Sequence, residues 1–217
     1  MKVFGILAGC VLALFVLEAQ SQMKTARPAS EIPMYGDPDK PTRLSKSDAA
    51  FIASIEKAGH TRQEVAKDAM YKGWDLFRKR EYDSAMKRFN QAWLLDQSNP
   101  DAYHGFAVIV AQRDNKPSEA EKFFRKAVAM PGVNVNAHVD FGRFLLENFR
   151  LDESLIHFQN AIAASPTAPN ARSNASIAYA KKGDFVQACE WAKGARENKD
   201  TLVDGYVEDM CNRAARK

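Results

Sequence analysis

Cysteine is scarce in this chain: three in 217 residues, at positions 10, 189 and 211. None forms a C-x-x-C pair, so a thioredoxin-like redox site lacks its thiols. Histidine is nearly as scarce, with four residues (His60, His104, His138 and His157). None stands in an H-E-x-x-H or a Cys/His metal spacing. A Gly-rich phosphate loop is missing, as is a G-x-S-x-G nucleophile elbow. There is also no block of like charge. Lys and Arg total 31 against 27 Asp and Glu, and the net charge of +4 is spread along the chain. A nucleic-acid binder would show a basic patch instead. These absences argue against an enzyme and against nucleic acid as a partner, and no metal or cofactor is expected.

Long apolar runs are limited to one, residues 3–17, which follows Lys2. This reads as a secretory leader covering residues 1–21, too short for the roughly 20 apolar residues of a spanning helix. Ala19, Gln20 and Ser21 supply small residues for cleavage before Gln22. Leu7-Ala8-Gly9-Cys10 also resembles a bacterial lipobox. Cleavage, lipidation at Cys10 and retention as an anchor all stand as readings. Each places the protein in the periplasm or outside the cell, with membrane contact only through the N-terminus. Residues 22–46 are rich in Pro, Ser and charge, which predicts a flexible linker with Met34-Tyr35 as its one apolar point. Residues 47–58 predict a short helix capped by Ser47 and stopped at Gly59, and Thr61 to Glu64 form a capping box for the next. In an exported compartment Cys189 and Cys211 are expected to pair.

The richest signal is a repeat. Ala92, Ala127, Ala161 and Ala195 recur at intervals of 35, 34 and 34 residues. Phe89, Phe124, Phe158 and Ala192 precede them by three each time, and Ala85, Ala120, Ser154 and Ala188 precede those by four. Gly73, Ala107, Gly142 and Ser176 keep the same period upstream. A period in this range marks stacked helical hairpins. Small residues belong where the two helices of a hairpin approach closely, and the phenylalanines fill the wider space between hairpins.

These columns resemble the tetratricopeptide repeat, with its small residue on helix A and Ala-x3-Phe-x2-Ala on helix B. The match covers roughly 60% of the chain and implies an all-α, right-handed solenoid of four hairpins, at about 66–99, 100–134, 135–168 and 169–199. Asp200 is expected to cap a final helix over 200–214, closing the apolar side of the last hairpin. The whole unit would span 47–217. Ala192, with Trp191 beside it, departs from the aromatic column.

The resemblance implies a protein or peptide partner held on the inner face, lined by the A helices. By register that face carries Met70, Trp74, Phe77 and Arg78 from the first hairpin, then Asp101 and His104. Asn136 and Arg143 follow from the third, and Asn170 and Ile177 from the fourth. Asn136 and Asn170 also suit helix caps. The carboxylate clamp of some family members is absent, because Met70, Trp74, Gly105, Asn136 and Asp140 occupy its positions. The function implied is a non-catalytic adaptor of the cell envelope, serving assembly, secretion or pilus biogenesis. A self-associating structural subunit or lipoprotein of a membrane complex is the alternative.

Overall fold

The computed structural model describes residues 27–216, which form ten α-helices and three short 3-10 turns, with no strand among them. The leader and its possible cleavage or lipidation sites lie outside the described residues. No helix among those described is long and apolar enough to cross a membrane. Helix α1 spans Lys46–Lys57 and precedes four hairpins. These are α2 (Arg62–Arg78) with α3 (Tyr82–Leu95), and α4 (Pro100–Gln112) with α5 (Pro117–Val128). Then come α6 (Val135–Glu147) with α7 (Leu151–Ala164), and α8 (Ala171–Lys181) with α9 (Phe185–Glu197). Helix α10 (Tyr206–Ala214) packs on α9. Each first helix touches its own second helix and the first helix of the next hairpin, which makes the array a helical-repeat solenoid.

The small-residue columns have a sharper cause than helix approach alone. A Cβ built on Gly73 would stand 2.3 Å from the Phe89 ring, and one on Gly105 2.6 Å from the same ring. Phe89 is therefore wedged between α2 and α4, where a glycine from each helix faces its ring. Gly142 meets Phe158 in the same way at 2.5 Å. Phe124 takes a different partner and stacks on Phe141, with centroids 5.2 Å apart and planes within 3°. The last hairpin, lacking the phenylalanine, brings Trp191 against Tyr179.

Caps explain most boundaries, with two shifts. Thr61 and Glu64 form the expected box. Helix α1 begins one residue earlier than read, because Ser45, not Ser47, caps it in a box with Asp48. The final helix is shorter than expected and starts at Tyr206. Asp200 does not cap it. Its carboxylate instead accepts the backbone N–H groups of Asn170, Arg172 and Ser173, at 3.0–3.1 Å, and so caps α8. Leu202 and Val203 consequently lie outside the helix, and Val203 is exposed. Cys189 in α9 and Cys211 in α10 are joined as a disulfide. Ser176 adds a second tie, with its hydroxyl 2.7 Å from the Ala188 carbonyl and 3.1 Å from the Tyr206 hydroxyl.

Residues 27–45 correct the reading of a flexible linker, whose residues 22–26 fall outside those described. Pro33 is buried, and the strap runs across α3. Asn90, fully buried on α3, donates to the carbonyls of Ser30 and Ile32 and accepts from the Tyr35 amide. Arg113 donates to the Glu31 carbonyl, and Arg27 pairs with Asp83 at 2.8 Å. Low apolar content predicts disorder only when no outside group satisfies the backbone. Here one amide side chain satisfies three backbone groups at once, which composition does not reveal.

Gly105→Ala is expected to destabilise the protein by about 1–3 kcal/mol, since the added methyl overpacks the Phe89 slot. Gly59→Ala, where nothing lies within 4 Å but φ is positive, should cost only the left-handed strain. Urea denaturation of both variants checks the ranking.

Candidate protein-binding groove

The first helices of the hairpins share one face, and the sequence-predicted residues distribute on it unevenly. Trp74 is half-buried and lies over His104, with ring centroids 4.6 Å apart, and over Phe89 at 5.1 Å. His104 is buried to 2% exposure, so it acts as a support beneath Trp74 and not as a groove surface. Its Nε2 is 2.9 Å from Oδ2 of Asp140, whose Oδ1 accepts from Arg143 at 2.9 Å. Trp74, His104, Asp140 and Arg143 thus form one connected run across α2, α4 and α6. Burial alone would push the Asp140 carboxyl up. The hydrogen bonds and charges of His104 and Arg143 override it and hold the group below the usual carboxylate range. Asp101, one turn before His104, is half-buried and shifted upward by burial, with His104 opposing.

Beyond Arg143 the face opens into a depression of about 380 Å³ between α6 and α8. Val139, Asp140, Arg143, Asn170, Ser173, Asn174, Ile177 and Thr201 line it. A smaller hollow on the other side of the Asp140–Arg143 pair is lined by Val108, Ala111, Phe124, Phe144 and Glu147. The ion pair is a ridge between the two. The larger hollow mixes two aliphatic side chains with amides and hydroxyls, groups that bind a peptide backbone as readily as a side chain.

Arg143, Asn170 and Ile177 therefore come together, and Trp74 reaches them through His104 and Asp140. The others do not. Met70 is 4% exposed and belongs to the core rather than to the groove, a correction set by its burial among the apolar residues of the first hairpins. Phe77 and Arg78 lie at the end of α2, Phe77 against Tyr82 and Arg78 beside Asp75. Asn136 is exposed in the first turn of α6, and the cap there is Asn134. Asn170 occupies the N-cap of α8, but its side-chain oxygen accepts from the Thr201 amide while Asp200 satisfies the helix. Asp140, Asn174 and Thr201 are the residues that register reading missed. Asp140 was visible as i−3 to Arg143. Thr201 was not, because a connector 31 residues from Asn170 delivers it.

His104 and His138 do not meet, although neighbouring first helices carry them. His138 is instead paired with His157 of α7, Nδ1 to Nδ1 at 3.1 Å. Burial, then the charges of His138 and Arg125, lower His157 from 6.5 to about 4, with Glu153 opposing. Between those values the unfolded chain holds the extra proton, so stability is full above pH 6.5 and is lost as pH falls towards 4. His138, also lowered by burial, acts in the same direction. The urea midpoint is expected to fall across this window, and His157→Gln should flatten the fall; an unchanged slope would contradict the assignment.

No protein-family model matches the sequence, and no curated protein does. Solved structures do match the fold. The chain is similar to PilF of Pseudomonas aeruginosa, at 23% identity and a TM-score of 0.64 over 71% of each chain. It is similar to YrrB, described as a TPR protein with an unusual peptide-binding site, at 22% identity and a TM-score of 0.54 over 77% of this chain and 81% of that one. PilW, described as a widely conserved type IV pilus biogenesis factor, aligns at 15% identity and a TM-score of 0.58 over 94% of this chain and 86% of that one. Four stacked hairpins and these structural neighbours show that the chain has the helical-repeat fold of tetratricopeptide-repeat proteins.

Proposed function

We propose that the protein is a non-catalytic scaffold that holds an extended segment of a partner protein along the first-helix face, centred on Arg143 and the hollow between α6 and α8. The observation that carries this reading is the hollow itself. It joins aliphatic floor residues Val139 and Ile177 to amides and hydroxyls, and a half-exposed arginine stands at its edge. Arginine and aromatic side chains dominate binding energy at interfaces, and Arg143 and Trp74 are linked here through Asp140 and His104. A groove of this kind needs no chemistry of its own.

The leader reading and one of the structural neighbours support a place of action. The apolar run at residues 3–17, read as a secretory leader, supports the bacterial envelope, and one structural neighbour, PilW, is described as a type IV pilus biogenesis factor. Envelope assembly, secretion or pilus biogenesis is accordingly the setting proposed for this chain. Self-association of a structural subunit is the competing reading.

A photoreactive residue placed at Ile177 tests both. Recurrent crosslinking in cells to one envelope protein, reduced about tenfold by Arg143→Ala, is the expected result; a loss of that size corresponds to about 1.4 kcal/mol of binding. Crosslinks only between copies of the chain would overturn the scaffold reading in favour of the structural subunit.

A further inference from the structure

The groove leaves one unusual side-chain pair unused. His138 of α6 and His157 of α7 face each other across the third hairpin, with their Nδ1 atoms 3.1 Å apart and their rings inclined by 30°. Both are half-buried, and His157 is braced by Phe141, whose ring lies 4.3 Å away. Two neutral imidazoles in this position share a single hydrogen bond, one ring donating and the other accepting. That is a modest use of two rings brought together from separate helices.

The separation fits a second use. A late first-row metal ion binds imidazole nitrogen at about 2.0–2.1 Å. Two such bonds to nitrogens 3.1 Å apart enclose an angle of roughly 100°, between the values of square and tetrahedral coordination. We infer that His138 and His157 form a two-histidine site for a divalent late transition metal ion of the zinc, nickel and copper group. Imidazole is the ligand these ions share. Among the described residues no third His, Cys, Asp or Glu completes a cage, so water fills the remaining positions. Entry of the ion breaks the hydrogen bond between the rings. The proton on the donating Nδ1 moves to Nε2 of the same ring, both Nδ1 lone pairs turn to the metal, and no net proton is released.

The surroundings permit the added charge. Arg125 is the nearest cation, and it is paired with Glu121 at 2.6 Å and reaches Glu153 at 3.5 Å. Arg150 is paired with the same two carboxylates, so the two arginines and two glutamates balance. Both histidines are neutral near neutral pH, since burial lowers each, and neutral imidazole is the form that binds metal. A bound ion would clasp α6 to α7 in the hairpin that carries Arg143.

The test is calorimetric titration of the full chain with Zn²⁺ and, separately, Ni²⁺ near neutral pH. One saturable site is expected, lost in His138→Gln and in His157→Gln and kept in His60→Gln, whose side chain is exposed. Imidazole ¹⁵N spectra of the unaltered protein give a measure independent of whether the variants fold. Zn²⁺ should shift the Nδ1 signals of these two residues and leave His104, engaged with Asp140, unchanged. No saturable binding, or shifts at His60 alone, would overturn the assignment.

Discussion

The ring of Phe89 sits against two glycines, Gly73 and Gly105, and much of the first half of the molecule follows from that. Gly73 and Gly105 come from different hairpins, so one aromatic ring fixes the distance of α2 from α3 and of α3 from α4. A ring is rigid and the slot is bounded by backbone, so neither side can relax cheaply when its size changes. Phe158 against Gly142 repeats the device in the third hairpin. Between them Phe124 is stacked on Phe141, which exchanges a backbone wall for an aromatic one. Aromatic rings thus set the approach of α2, α3 and α4 and of α6 and α7, and a stacked ring pair joins α5 to α6.

That alignment produces the groove. Because α2, α4 and α6 stand at fixed offsets, Trp74, His104 and Asp140 fall into contact in sequence, one from each hairpin. Asp140 then orients Arg143 at the lip of the hollow. Buried His104 transmits nothing chemical; it fills the space beneath Trp74 and ties it to the carboxylate. The far wall is held by a different means. Asp200 and Thr201, from the connector to the last helix, grip the start of α8 through Asp200's carboxylate and Asn170's side chain. The C-terminal cap therefore finishes the groove as well as the core, and its disulfide to α9 holds that connector's two ends together.

The repeat was legible in the sequence because its packing demands are local and periodic: a small residue recurs in each first helix, and a phenylalanine recurs in three of the four second helices. The features that escaped are those in which distant segments satisfy one another. Asp200 reads as the cap of its own helix until the structure shows it serving α8. The strap over Asn90 reads as linker because its own residues bury little; the amide that orders it lies about 60 residues away. Met70 reads as groove because helical register places it one turn from Trp74, yet it is buried in the core. Arg143, Asn170 and Ile177 were recoverable since they sit squarely on the first-helix face, while Thr201 belongs to no helix and carries no periodic mark.

The most direct measurement is the proton spectrum of the two glycines that wall the slot. The account requires one α-proton of Gly73 and one of Gly105 to lie over the Phe89 ring, shifted strongly upfield by its ring current and released together in Phe89→Leu. Unshifted α-protons at both glycines, or shifts that survive the substitution, would mean that the ring does not occupy the slot and that hairpin spacing has another origin.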